Sequence, residues 1–206
     1  MPRAFAYLIL VFLALGTAAY ALTAYGLLPI GQLVHPAMRA NFQLHSTLVY
    51  THIFLSSLAL ALGAFQFSVA IRTRRPQLHR WLGRAYLFLG VLPGGIAGFI
   101  MAVHAFGGII SQLGFGILAL LWLWTGAQAY LAIRHGRVQE HRCWMIRNYA
   151  LCCAAITLRI YLPISLLLDA FVSAYPYIAW LCWIPNLMYA EWRITRLRSE
   201  GVINKP

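Results

Sequence analysis

Charged residues are scarce in this sequence, and acidic residues are almost missing. Only 10% of the 206 residues are charged, and four of these are Asp or Glu against sixteen Lys or Arg. Soluble domains carry about a quarter charged residues, so the chain has too little polar surface for a soluble fold. A nucleic-acid-binding domain is excluded too. Such a domain carries its positive charge on a polar surface, and this sequence, with a net charge of +12, has too few polar residues to form one. With 62% hydrophobic residues, the composition indicates an integral membrane protein.

Motifs for metal sites and for common enzymes are also missing. The four cysteines form no Cys-x-x-Cys pair and lie in apolar runs, so neither a disulfide framework nor a zinc site is indicated. There is no HExxH or HxxxH pattern, no glycine-rich phosphate loop before Lys-Ser/Thr, and no serine in a nucleophile elbow. The sequence therefore leaves open whether the protein is an enzyme.

Hydropathy divides the chain into apolar segments long enough to cross a bilayer. A membrane-spanning helix needs about 20 predominantly apolar residues. The six segments that meet this length are residues 4–28, 47–71, 81–105, 109–133, 144–168 and 170–192. They predict an all-α polytopic protein with one membrane domain over residues 1–206. The first segment has features of a signal peptide, but we interpret it as an uncleaved anchor.

Basic residues lie mainly in alternate connectors. With six spans, fourteen of them fall on one side, whereas Arg39 falls on the other and Arg159 lies within the fifth span. The fourteen are Arg3, Arg72, Arg74, Arg75, Arg80, Arg84, Arg134, Arg137, Arg142, Arg147, Arg193, Arg196, Arg198 and Lys205. Positively charged loops remain in the cytoplasm, so we expect a bacterial inner-membrane protein with both termini cytoplasmic. Arginine clusters beside spans also predict contact with anionic lipids.

Two of the basic connectors have similar sequences. His79 opens the run HRWLGRAY and His141 opens HRCWMIRNY, so each run has His-Arg, a Trp, a second Arg and a Tyr. Gln66 and Gln128 each stand thirteen residues before the histidine of their run. Parallel repeats related by an axis along the membrane normal occur in membrane proteins. The pattern predicts a central four-helix bundle of two parallel hairpins, spans 2–3 and 4–5, in which the two histidines meet.

Ionisable groups inside a membrane are costly and usually functional. The candidate cofactor-binding residues are His52, His79, His141, Arg159, Gln66, Gln128, Arg84 and Arg147. The candidate metal ligands are His52, His79, His141 and His104. The alternative to a ligand role for His104 is that it lies in the polar headgroup region without a function, as His45 and Asp169 would. For the arginines, the alternative is an anchoring role in anionic lipid.

A b-type haem or a quinone would suit these side chains. Axial histidines hold haem iron, and flanking arginines would compensate the propionate charges. His79 and His104 are 25 positions apart, about 37 Å in a continuous helix, which exceeds the hydrocarbon thickness of about 30 Å. One haem is therefore easier to accommodate than two, and we predict an electron-transfer protein that binds a redox cofactor. The alternatives are a non-enzymatic accessory or assembly subunit of a larger membrane complex, and a small-molecule transporter lined by Gln66, Gln128 and Arg159.

The two histidine runs and the later run WLCWIPN, which begins at Trp180, together resemble a known family. They are similar to the predicted bacterial multi-pass membrane proteins called domain of unknown function 2306, over approximately Thr47 to Glu191. The resemblance implies a multi-pass membrane topology. It defines no activity and no catalytic residues that could be transferred.

Overall fold

The computed structural model describes residues 2–202, and these residues fold almost entirely as helices. The all-α class is thus confirmed for the described part of the chain. The helices are α1 (Pro2–Leu27), α2 (Pro36–Leu44), α3 (Ser46–Gln66), α4 (Val69–Arg74), α5 (Pro76–Ala85), α6 (Leu92–Val103), α7 (Ile109–Arg134), α8 (Val138–Cys152), α9 (Ala154–Leu167), α10 (Phe171–Leu181) and α11 (Ile184–Ser199). Lys205 and the side chain of Arg3, both predicted on the basic side, lie outside the description.

Among the described residues, five helices are long and apolar enough to cross a membrane. They are Ala4–Leu27, Ser46–Gln66, Pro76–Val103, Ile109–Arg134 and Val138–Leu167. Large apolar side chains project outward from these helices, such as Phe12, which is 75% exposed. A surface of this kind suits contact with lipid. The multi-pass membrane class is therefore confirmed.

The predicted sixth span is divided into two helices. The helix is interrupted at Cys182 and Trp183. The next helix, α11, begins at Ile184 and has Pro185 in its first turn. The two pieces have 11 and 16 residues, and neither alone has the length of a membrane span. The sixth crossing therefore stays a prediction.

The boundaries of three spans differ from the hydropathy estimate. α3 ends at Gln66 and not near Ile71, because Ser68 caps a separate helix by accepting a hydrogen bond from the Ile71 amide at 3.3 Å. The third and fifth spans begin earlier than predicted, at Pro76 and Val138. Both histidine runs therefore lie in helix, not in connecting loops.

Four spans form a ring. α3 packs on α6, α6 on α7, α7 on α8, and α8 returns to α3. The helix α1 covers α3 and α9, while α10 and α11 lie against α7 and α8 respectively. The core is rich in alanine, including Ala59 and Ala64 on α3 and Ala129 on α7, all with no exposed surface. Small side chains of this kind let helix backbones approach closely within a membrane.

A close approach joins α3 to the third span. A Cβ atom on Gly90 would lie 2.6 Å from the Cβ of Ala59, and one on Gly94 would lie 2.9 Å from the Ser56 hydroxyl oxygen. Gly90, Gly94 and Gly98, which stand four residues apart, all face α3, so this side of the span is a packing surface.

One turn of the third span is a π-helix, Tyr86–Val91. Pro93 follows it and has no amide hydrogen to continue the helical ladder. Wide turns of this type occur mostly as single insertions in α-helices, often near functional sites. Here the turn directs Tyr86 and Gly90 inward, where both are buried.

Candidate functional site

Two histidines approach each other at one end of the bundle. We call this the basic end; it comprises α4, the start of α5, the end of α7 and the start of α8. His79 on α5 and His141 on α8 are half-buried and close enough to interact electrostatically. The Nδ1 of His141 donates to the Ala129 carbonyl on α7 at 2.8 Å. Because a carbonyl can only accept, Nε2 is the nitrogen of His141 that is available for a ligand.

Gln66 holds the other histidine from the end of α3. In the orientation that satisfies both ends of its amide, the nitrogen donates to Nδ1 of His79 at 3.1 Å and to the His79 carbonyl at 3.3 Å. The amide oxygen accepts from the Gly83 amide at 3.2 Å. Gln66 therefore touches both ends of one turn of α5. The predicted counterpart, Gln128, is half-buried beside Ala129, whose backbone carbonyl holds His141 instead.

The second arginine of each histidine run stacks on the tryptophan three residues before it. The guanidinium carbon of Arg84 lies 5.4 Å from the centre of the Trp81 ring, and that of Arg147 lies 4.7 Å from the Trp144 ring. Arg147 also donates to both carboxylate oxygens of Glu191 on α11, at 2.5 and 2.8 Å. The structure thus gives protein partners to Arg84 and Arg147, two of the three predicted cofactor-binding arginines.

A buried polar network in the centre of the bundle was missed by the sequence analysis. Tyr86 donates to the side-chain oxygen of Asn148 at 2.5 Å. The Asn148 nitrogen donates to the Trp122 carbonyl at 2.6 Å and to the Thr125 hydroxyl at 2.8 Å. Asn148 has no exposed surface, and its network joins the third span to α7 and α8. The sequence feature that could have indicated this network is Asn148, which directly precedes Tyr149 in the second histidine run.

The tyrosines of the two runs cross between the hairpins. Tyr86, from the first hairpin, binds Asn148 on α8. Tyr149, from the second hairpin, donates to the Leu60 carbonyl on α3 at 3.0 Å. Both side chains are buried, and each joins its own hairpin to the other one.

The two deep candidates of the opposite half, His52 and Arg159, line one cavity. It has a volume of about 50 Å³ and lies between α1, α3 and α9. The lining residues are Thr17, His52, Ile53, Ser56, Ser57, Leu60, Ala155 and Arg159. His52 donates from Nδ1 to the Gly94 carbonyl at 2.8 Å. Gly98 makes room for the ring, since a Cβ there would lie 2.7 Å from Nδ1 of His52.

His104 lies apart from the other candidate ligands. It caps the end of α6, and its ring stacks on that of His45 with the centres 4.2 Å apart. The Asn41 side chain donates to the His104 carbonyl. The four candidate metal ligands therefore occupy three places: the pair at the basic end, the His52 cavity, and the stacked rings at the far end. Within residues 2–202, no group of three or more His, Cys, Asp or Glu side chains could hold a metal ion.

Comparisons with known proteins identify a family. No curated protein and no solved structure matches the chain. One family, described as "Predicted membrane protein (DUF2306)", matches residues 49–194 through its sequence model. The match covers both histidine runs and the helices α3 to α10, and it agrees with the resemblance seen in the sequence. The chain belongs to this family of predicted membrane proteins.

Proposed function

We propose that this membrane protein transfers electrons and binds one b-type haem between His79 and His141. The observation that carries the proposal is that these two imidazoles, which come from different hairpins, lie within electrostatic range of each other at one end of the bundle. Each ring has a hydrogen-bonding partner at Nδ1. A partner that accepts from the second ring nitrogen fixes the orientation of a ligating histidine in metal sites, as the Ala129 carbonyl does for His141.

His141 presents a nitrogen that could ligate iron, whereas His79 would have to change its tautomer. The hydrogen bond from His141 to the Ala129 carbonyl leaves an unprotonated Nε2. In the Gln66 orientation that satisfies both ends of its amide, Nδ1 of His79 accepts a hydrogen bond, so Nε2 carries the proton. His79 would bind iron at Nε2 only after its proton moved to Nδ1 and the Gln66 amide turned its oxygen towards that atom. Haem iron takes its protein ligands only at its axial positions, so two histidines suffice and a cluster of three is not needed.

Charge at the basic end also fits the proposal. Arg72 is near enough to His79 to interact with it electrostatically. Arg80 is exposed and Arg142 is half-buried, each directly after one of the paired histidines. These guanidinium groups would bind and orient the carboxylates of a haem, whose iron would supply a one-electron carrier.

We also propose the complete topology expected from the sequence. In it α10 and α11 together form the sixth crossing, and both termini lie in the cytoplasm of a bacterial inner membrane. Support comes from the contacts of these helices: Trp180 donates to the Ile110 carbonyl at the start of α7, whereas Glu191 pairs with Arg147 in α8. The pair thus extends from one end of the bundle towards the other. The matching Trp–Arg stacks and the crossed tyrosines support two parallel repeats.

The proposed transporter path receives less support. The cavity lined by Arg159 includes neither Gln66 nor Gln128. Exposed arginines next to the exposed Trp81 suit anionic lipid. We therefore retain lipid contact as part of the proposal and keep a subunit role in a larger membrane complex as the alternative to haem binding.

The test is an absorbance spectrum of the full-length protein in detergent, oxidised and then reduced with dithionite. We expect a Soret band and stoichiometric iron in the wild type, and loss of both in His79→Ala and His141→Ala. His135→Ala is the matched control, because His135 is exposed at the end of α7 and should leave the spectrum unchanged. A wild-type protein produced with ample haem that shows no Soret band would refute haem binding. Extraction of bound quinone from that protein would assign the site to a quinone instead.

A further inference from the structure

We propose that the cavity between α1, α3 and α9 is a binding site for a small monovalent anion, held by Arg159. The site is separate from the paired histidines and does not depend on haem. The geometry points to it because Arg159 is a cation within a membrane-spanning segment and its Nε atom is buried without a hydrogen-bond partner. Unpaired charge at this depth is costly, and such residues pair with another group or mark an ion path.

Within the protein, Arg159 has only weak interactions that offset its positive charge. One terminal nitrogen donates to the Ala155 carbonyl of its own helix at 3.0 Å. The guanidinium carbon lies 5.7 Å from the centre of the Tyr20 ring, a cation–π contact. Both contacts leave the net positive charge in place.

Carboxylates that could neutralise this charge are engaged elsewhere or distant in the fold. None of the eight residues that line the cavity is acidic. Three of the four acidic residues form ion pairs with other arginines. These pairs are Arg137–Glu140, Arg147–Glu191 and Arg196–Glu200. The fourth, Asp169, is exposed beyond the end of α9. A positive charge in a low-dielectric setting with no protein counter-ion favours an anion from outside.

The residues that line the cavity suit that ligand. Thr17, Ser56 and Ser57 line it together with Arg159, and each carries a hydroxyl group that can donate a hydrogen bond. The volume of about 50 Å³ exceeds the roughly 10–15 Å³ that a single water needs. It suits a halide or formate with a water molecule, whereas an aromatic carboxylate or a quinone headgroup is too large. The site therefore selects by size as well as by charge.

The experiment measures thermal unfolding of the full-length protein in detergent while chloride, bromide or formate replaces gluconate at constant ionic strength. We expect the Tm to rise saturably with each small anion and not with benzoate. In Arg159→Gln, half-saturation should need about tenfold more anion or be lost, as expected for one charge-assisted hydrogen bond. Arg74→Gln, which changes an exposed arginine on α4, should respond like the wild type and so controls for general salt effects.

Two results would overturn the proposal. One is a wild-type Tm that does not distinguish chloride from gluconate, and the other is an unchanged anion response in Arg159→Gln. If Arg159→Gln does not fold, Thr17→Val combined with Ser57→Ala removes two of the donors and keeps the arginine. This variant should weaken the response severalfold, and an undiminished response would also overturn the proposal. Because the readout is anion-dependent stability, it is independent of the spectrum that tests haem binding.

Discussion

The central polar network gives a stability prediction whose size follows from the structure. Asn148 makes three hydrogen bonds, to Tyr86, to the Trp122 carbonyl and to Thr125, at 2.5, 2.6 and 2.8 Å. Interhelical hydrogen bonds in membrane proteins contribute about 0.6 kcal/mol on average and at most about 1.7. Asn148→Ala should therefore lower the free energy of unfolding by roughly 2 kcal/mol. Tyr86→Phe removes one of these bonds and should cost about 1 kcal/mol.

The double variant makes this prediction specific. Either substitution removes the Tyr86–Asn148 bond, so the two together should cost less than the sum of the single effects by about the value of that one bond. The assay is reversible unfolding in mixed micelles with a graded fraction of denaturing detergent, followed by tryptophan fluorescence. Thr23→Val is the control, because the Thr23 hydroxyl bonds only carbonyls of its own exposed helix turn. Additive costs in the double variant, or a cost for Asn148→Ala no larger than for Thr23→Val, would refute the reasoning.

Two further variants test packing and surface charge. Gly90→Ala should destabilise the protein by about 1–3 kcal/mol, because its new methyl group would lie 2.6 Å from the Cβ of Ala59. The control is Gly16→Ala, which has nothing within 4 Å of its new methyl group and should be neutral or stabilising. Equal effects of the two variants on thermal unfolding would contradict the contact at Gly90. Glu191→Gln should cost at most about 1 kcal/mol, because this carboxylate is 49% exposed opposite Arg147. The cost should shrink in high salt, and a salt-independent loss would argue against simple ion pairing.

Hydropathy predicted where the chain is apolar but not where its helices begin. The third span was expected from Trp81, yet its helix starts at Pro76. The intervening residues include His79 and Arg80. Their polarity indicates where the apolar part of the bilayer ends, but it does not indicate where the helical hydrogen bonds end. The same reason explains why Val138 begins a helix ahead of the predicted start at Trp144. Proline in a first helical turn, as at Pro76, was the available signal.

The candidate site could be predicted only in part. The matched runs pointed to His79 and His141, and the structure places these two side chains near each other. Sequence spacing paired a glutamine with each histidine at a deeper level of the bundle, but Gln66 contacts its histidine directly, whereas a backbone carbonyl holds His141. Backbone partners have no side-chain signature, so such a difference is invisible in sequence. The central asparagine was missed for a related reason: the helix around it mixes Arg142 and Arg147 with apolar residues, so no single face indicates which polar residue is buried.

The glycine contact between α3 and the third span has a mechanical consequence for the His52 ring. At Gly94 and Gly98 the imidazole rests on bare backbone, one residue supplying the carbonyl that holds it and the other the space that admits it. At these two positions the third span has no side chain of its own to absorb a change in tilt. A displacement of one helix relative to the other would therefore move the imidazole as well. The orientation of the His52 ring thus depends directly on the packing of these two helices.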